Sequence, residues 1–266
     1  MNSIVEEFNE FTWDMVRALP RANYYYTNGI PFSVKCKPGL RSLYQPYTSN
    51  IEELEVFEEK NDTATYDYNR PGFTSSKWFP PDLKSYYSSN ILSSNKPVVT
   101  IQNKYSIEWG REVFNYFDLD SLNQLLEFLT PDYTVVYFRP DGNEKGYYKD
   151  QNPLPEFKDY EFISAAFPEV ILFKDLLKEN KDFNYNTLQF MVEASSEKHI
   201  TVSGGNACVA AYFGGDVLIY DSPFGAGAGR GIWKTDSWLS LLGDANILGF
   251  NDRAELILKI KTLWKY

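Results

Sequence analysis

Residues 200–223, ITVSGGNACVAAYFGGDVLIYDSP, constrain the fold of this chain more than any other stretch. A β-rich run, Ile200 to Ser203, ends at Gly204-Gly205. A small-residue segment follows from Asn206 to Phe213, and Gly214-Gly215 leads into a second apolar run, Val217 to Tyr220. The order predicts strand, glycine turn, short helix, glycine turn, strand. Two readings of Gly204-Gly205 are open at this point. Glycines let a backbone approach a ligand closely, and the helix N-terminus behind them offers N–H groups and a positive dipole end to an anion such as a phosphate. Equally, small residues serve a tight βαβ connection.

The same alternation extends along the chain. Val98–Gln102, Thr134–Phe138, Val170–Phe173 and Ile247–Phe250 read as further short buried strands. Between them, Leu122, Leu125, Leu126 and Leu129 repeat at helical spacing, with Asp120 or Ser121 as cap. Leu188, Met191 and Val192 give a second helical stripe, and Leu256, Ile260, Leu263 and Trp264 a third. Strands alternating with helices predict an α/β protein with a doubly wound parallel sheet over residues 96–266. Residues 1–95 predict a reduced N-terminal α/β lobe: a strand near Ile4–Phe8, a helix from Trp13 to Tyr26 that Pro20 breaks or kinks, a turn at Asn28-Gly29 and a strand at Phe32–Cys36.

Composition excludes several classes. The formal net charge of −10, without a long Lys/Arg cluster, argues against a nucleic-acid partner. No apolar run approaches the length of a membrane span, and no signal peptide is evident, so a cytoplasmic location is expected. The two cysteines, Cys36 and Cys208, suggest neither a disulfide framework nor a zinc site, and Cys208 reads as buried. His199 is the single histidine and reads as structural. There is no G-x-S-x-G and no P-loop. Gly225–Gly231 departs from G-x-G-x-x-G because Arg230 stands where the last glycine belongs. Asp118-Leu119-Asp120 matches D-x-D, a metal-binding signature of some sugar transferases, but precedes a helix and reads as its cap.

Polar residues gather after the strands. Asn103, Lys104, Tyr105, Glu108 and Trp109 follow the first; Arg139, Pro140, Lys145 and Tyr147 follow the second; Ser203, Gly204, Gly205 and Asn206 follow the Ile200 strand. In a parallel sheet these loops share one edge, where ligands bind. They bring cations, backbone amides and a carboxylate to that edge, a set suited to a diphosphate. In the N-terminal lobe, Asn9-Glu10-Phe11-Thr12-Trp13-Asp14 adds Glu10 and Asp14 as candidate general bases.

These blocks resemble the two-Rossmann (GT-B) glycosyltransferases, in particular small bacterial and viral sugar transferases distantly similar to fucosyltransferases. Residues 9–14 are similar to an N-terminal G-E-F-G-W-E loop, keeping Glu10, Phe11 and Trp13 but losing both glycines. Asn103-Lys104-Tyr105-Ser106-Ile107-Glu108-Trp109 is similar to N-K-Y-x-x-E-W, Arg139-Pro140 to a strand-ending R-P, and Ser203–Asn206 with the following A-x-F-G-G to a late nucleotide-sugar motif. The resemblance implies transfer of a sugar from a nucleoside-diphosphate sugar to a glycan, glycoprotein or other hydroxyl acceptor, without a cofactor or an obligatory metal and with inversion, residues 1–95 forming the acceptor side and 96–266 the nucleotide-sugar-binding lobe. It implies Glu10, Asp14 and Glu108 as catalytic carboxylates. Trp13, Asn103, Lys104, Tyr105, Arg139, Lys145, Ser203, Gly204, Gly205 and Asn206 are implied as substrate-binding residues. The alternatives are a binding module for a nucleotide sugar or glycan that has lost turnover, and a different Rossmann-type enzyme using S-adenosylmethionine or NAD.

Overall fold

The computed structural model describes residues 3–7, 11–55, 76–107, 112–141, 153–224 and 232–265, and contains two parallel sheets. The first is small: β1 (Ser3–Glu6), β2 (Phe32–Cys36) and β3 (Ile51–Glu53), paired in that order. Between β1 and β2 the chain forms one helical run in three parts. These are α1 (Phe11–Trp13), a π-helical turn (Asp14–Ala18) and α2 (Leu19–Thr27). The short helices α3 (Arg41–Tyr44) and α4 (Leu83–Tyr87) complete this part.

Pro20 changes the helix type without ending the helix. Proline has no N–H to give to the carbonyl four residues back in an α-helix, or five back in a π-helix. Those carbonyls belong to Val16 and Met15. The Trp78 indole Nε1 donates to Val16 O at 2.8 Å, and the Tyr212 hydroxyl donates to Met15 O at 2.7 Å. Two distant side chains thus satisfy the groups that Pro20 leaves open, as buried backbone acceptors require.

The second sheet follows in alternation: β4 (Val98–Gln102), α5 (Leu119–Leu129), β5 (Thr134–Phe138), α6 (Asp159–Ala166), β6 (Ile171–Leu172), α7 (Phe173–Glu179), α8 (Tyr185–Ala194), β7 (Ser196–Val202), α9 (Gly205–Tyr212), β8 (Asp216–Tyr220), β9 (Asn246–Phe250) and α10 (Arg253–Leu263). A 3₁₀ turn, Trp238–Leu242, precedes β9. The strand order is β6-β5-β4-β7-β8-β9, and every neighbouring pair is parallel. Relative to β4 this is the 3-2-1-4-5-6 order of a doubly wound Rossmann sheet, whose direction of winding reverses between β4 and β7.

Side chains alternate between the two faces, as the period of a strand demands. Leu218 and Tyr220 of β8 join Val99, Ile101, Val135, Ile200 and Val202 in a core under α5, α6 and α10. Val217 and Ile219 face the opposite way and pack with α9. That second core runs without a break into Val5, Val34 and Cys36 of the small sheet. The fold is therefore two Rossmann-like parallel layers, the N-terminal one reduced.

Most strands lie where their apolar runs predict. The Val170–Phe173 run is shorter as a strand, because Phe173 already opens α7. The cap of α5 is Asp118, whose Oδ1 accepts from Ser121 N at 2.9 Å, and the partial D-x-D is thus a helix start. Gly214 and Gly215, with φ of 75° and 68°, make the turn between α9 and β8. Among the described residues no helix is long and apolar enough to cross a membrane.

Candidate functional site

The carboxyl ends of β4 and β7 meet at the point where the sheet reverses its winding, the position at which open α/β sheets bind ligands. Lys104 follows β4 and Ser203-Gly204 follows β7. Gly204 is the N-cap of α9, with φ 138° and ψ −164°, a conformation essentially restricted to glycine. A Cβ built there would lie 3.7 Å from Lys104 Nζ, so an ammonium group stands directly beside the start of α9. Gly204, as the N-cap, has no side chain with which to cap this helix, and Ala207 N turns back to Gly204 O at 3.1 Å. The site therefore joins a cation to the positive end of a helix dipole.

The small sheet contributes the opposite wall. Phe11, in the first turn of the helical run, lies against Gly205; a Cβ on Gly205 would come within 2.6 Å of Phe11 Cδ1. Trp13 is buried behind it, with the Arg17 guanidinium 5.5 Å above its ring.

Behind Lys104 lies a chain of buried polar groups. Asn103 Nδ2 donates to Phe117 O at 2.9 Å and to Tyr137 Oη at 3.0 Å. Its Oδ1 accepts from Lys104 N and Phe117 N, both at 2.9 Å. Tyr137 in turn donates to Asp159 Oδ2 at 2.5 Å, and Arg139 Nε donates to the same oxygen at 2.5 Å. The Arg139 guanidinium also sits 4.6 Å over the Tyr160 ring and is only 7% exposed. Asn103 and Arg139 are thus placed inside the protein, where they hold the loop that carries Lys104, and not at the cleft surface. Tyr105 stacks on Phe157 at 4.4 Å and meets Tyr116 edge-on at 4.9 Å.

Ser203 is also held. Asn115 Nδ2 donates to its carbonyl and to its Oγ, both at 2.8 Å, and Asn115 Oδ1 accepts from Ser222 N at 3.3 Å. One asparagine thereby ties the ends of β7 and β8 together. Asp221 hydrogen-bonds Ser203; burial raises its carboxyl above the ordinary range, and the Ser203 contact partly offsets that rise.

Of the three carboxylates expected to be catalytic, Glu10 and Glu108 lie outside the described residues, as do Lys145, Trp109, Tyr147 and Arg230. Asp14 is fully buried. It pairs with the equally buried Lys37 ammonium and accepts from Tyr44 Oη at 2.8 Å. Desolvation raises its pKa to about 6 against the pull of Lys37. A carboxylate so enclosed has no path to an acceptor hydroxyl, and Asp14 is part of the lobe's interior.

His199 is structural, as its sequence context predicts. It is completely buried in β7, with Nδ1 2.8 Å from Thr100 Oγ1 and 2.7 Å from Glu193 Oε2. Cys208 is buried in α9. Among the described residues, no three His, Cys, Asp or Glu side chains converge as a metal site. Sequence reasoning missed Asn115 and Asp221. The signal available for Asp221 was its place directly after the Val217–Tyr220 strand, on the same edge as Ser203.

No protein-family model and no curated protein sequence matches the chain. Solved structures do. A family 9 glycosyl transferase from Veillonella parvula superposes with a TM-score of 0.51 at 10% identity, over 99% of this chain and 90% of that one. The iron-containing dodecameric glycosyltransferase TibC from enterotoxigenic E. coli H10407 gives 0.49 at 11% identity, over 95% and 66%. The H444N variant of the wall teichoic acid polymerase TagF gives 0.38 at 13% identity, over 90% and 50%, so this chain spans about half of TagF's length. The first similarity shows that this chain and that transferase share a fold.

Proposed function

We propose that this chain is a glycosyltransferase that moves a sugar from a nucleoside-diphosphate sugar to a hydroxyl acceptor. The observation that carries the reading is Lys104 Nζ beside Gly204 at the head of α9, at the switch point of the sheet. The leaving group of such a transfer is a nucleoside diphosphate that gains negative charge as the glycosidic bond breaks. A lysine ammonium and the amides of a helix N-terminus are preorganised to receive that charge, and in this reading they do so without a metal. Asn103, Tyr137, Asp159 and Arg139 keep Lys104 in place from behind.

Inversion at the sugar carbon requires a base for the acceptor hydroxyl. With Asp14 enclosed by Lys37 and Tyr44, Glu10 is the proposed base and Glu108 the next candidate. The cytoplasmic setting belongs to the same proposal. A thermal-shift and calorimetric screen of UDP, GDP, CMP and dTDP with their sugars tests it. Stabilisation by one nucleoside diphosphate, lost in Lys104→Ala, is expected; no shift with any of them overturns the reading.

The burial of Asp14 favours one second reading, a module that binds a nucleotide sugar without turning it over. Donor hydrolysis by the wild-type chain that disappears in Glu10→Gln excludes it.

A further inference from the structure

A groove of about 850 Å³ opens at the carboxyl ends of β8 and β9, on the same sheet edge as Lys104 and Gly204. Phe114, Tyr116, Tyr220 and Phe224 give it aromatic walls, and Glu112, Asn251 and Asp252 give it polar groups. Phe224 is 76% exposed, the most of any large hydrophobic side chain described.

The charge of the groove decides what fits. Among its described lining residues the cation is Arg253, which is already used: Nη1 donates to Asp118 Oδ2 at 2.5 Å, and the guanidinium lies 5.0 Å from the rings of both Tyr116 and Tyr220. Glu112 and Asp252 are exposed carboxylates on the wall. On the described walls these two carboxylates, with Arg253 paired to Asp118 and Asp252 capping the N-terminus of α10, disfavour a phosphate. The groove suits an uncharged polyhydroxylated ring, whose C–H face lies on an aromatic side chain while its hydroxyls donate to carboxylates and the Asn251 amide. The volume falls within the usual range for ligand sites and exceeds the needs of a single sugar ring.

Position supplies the second argument. Asn115 lies between the wall residues Phe114 and Tyr116, and it bonds both Ser203, next to Gly204, and Ser222 in the groove. The groove and the cleft beside Lys104 therefore share a rigid partition.

We propose that this groove, on the C-terminal layer of the protein, holds a neutral carbohydrate chain. This carbohydrate chemistry does not rest on the glycosyltransferase reading. The test uses the full chain on an array of neutral oligosaccharides, together with calorimetry of UDP and GDP. The variants are Phe224→Ala, which removes an exposed ring and leaves the melting temperature unchanged, and Lys104→Ala. At least one neutral glycan is expected to bind, about tenfold more weakly in Phe224→Ala, with nucleoside-diphosphate affinity unchanged in that variant. Lys104→Ala is expected to show the reverse pattern.

Absence of any glycan binding, or binding indifferent to Phe224→Ala, overturns the proposal. So does a loss of UDP or GDP affinity in Phe224→Ala, which would make the groove the donor's nucleoside pocket. Glycan binding that depends on Phe224 without any nucleoside-diphosphate binding leaves the groove standing and removes the glycosyltransferase reading instead.

Discussion

The ring of Phe11 rests on the backbone of Gly205, so that a single methyl group at Gly205 would come within 2.6 Å of Phe11 Cδ1. This contact joins the helical run after β1 to the head of α9, and it sets how closely the small sheet approaches the switch point. Gly205→Ala is therefore expected to destabilise the protein by about 1–3 kcal/mol through overpacking. Phe11→Ala in the same chain should restore part of that loss, because the two residues are in contact and their effects do not add. Chemical denaturation of both single variants and the double variant measures this. Additive losses would show that the contact does not govern the packing.

Asn103 makes four hydrogen bonds, three of them buried and the fourth, which fixes the peptide of Lys104, half-buried. Asn103→Ala is expected to cost about 3 kcal/mol, since donors and acceptors of Phe117, Tyr137 and Lys104 lose their partner. Urea unfolding gives the value; a loss below about 1 kcal/mol contradicts the role assigned to this side chain.

The Asp14–Lys37 pair predicts a pH dependence with a definite sign. Desolvation raises the Asp14 carboxyl from 3.8 to about 6 in the folded state. Between those values the native state binds more protons than the unfolded one, so the contribution is fully present below pH 3.8 and is lost as pH rises through 6. In Asp14→Asn this component disappears from the stability curve. At pH 7.5 the variant is less stable by about 3–5 kcal/mol, because the buried Lys37 ammonium loses its ion pair with the Asp14 carboxylate. Unfolding measured across pH 4 to 8 checks both; an unchanged curve in Asp14→Asn rejects the assignment.

Both thiols are buried. Desolvation pushes the Cys36 thiol up to about 12, with Glu53 and Asp14 adding to the rise, and pushes Cys208 up by burial alone. Neither forms the reactive thiolate at neutral pH. Ellman's reagent is expected to find no thiol in the native protein and two after denaturation; a fast-reacting native thiol contradicts this packing.

Much of the framework was legible because it rests on local patterns. Val98–Gln102 and Thr134–Phe138 are strands over those same residues, and the glycine-flanked helix lies between β7 and β8 as its sequence implies. What was hidden depends on distant partners. Pro20 reads as a helix breaker, and only Trp78 and Tyr212, far along the chain, let the helix run on. Arg139 and Asn103 read as ligand contacts because burial is not written in a short motif; Asp159 and Tyr137 claim them internally. The groove beside β8 and β9 escaped because its walls come from three separated segments, 112–116, 220–224 and 251–254. The polar residues after Ile247–Phe250, on the same sheet edge, were the available sign.

The central claim is that the cation–helix pair at the switch point binds a nucleoside diphosphate. Isothermal titration of the wild-type chain and of Lys104→Ala with UDP, GDP and dTDP tests it most directly. The account predicts saturable binding of at least one of them by the wild type, weakened at least about tenfold in Lys104→Ala at an unchanged melting temperature. Equal affinity in the two proteins, or no binding by the wild type, would contradict it.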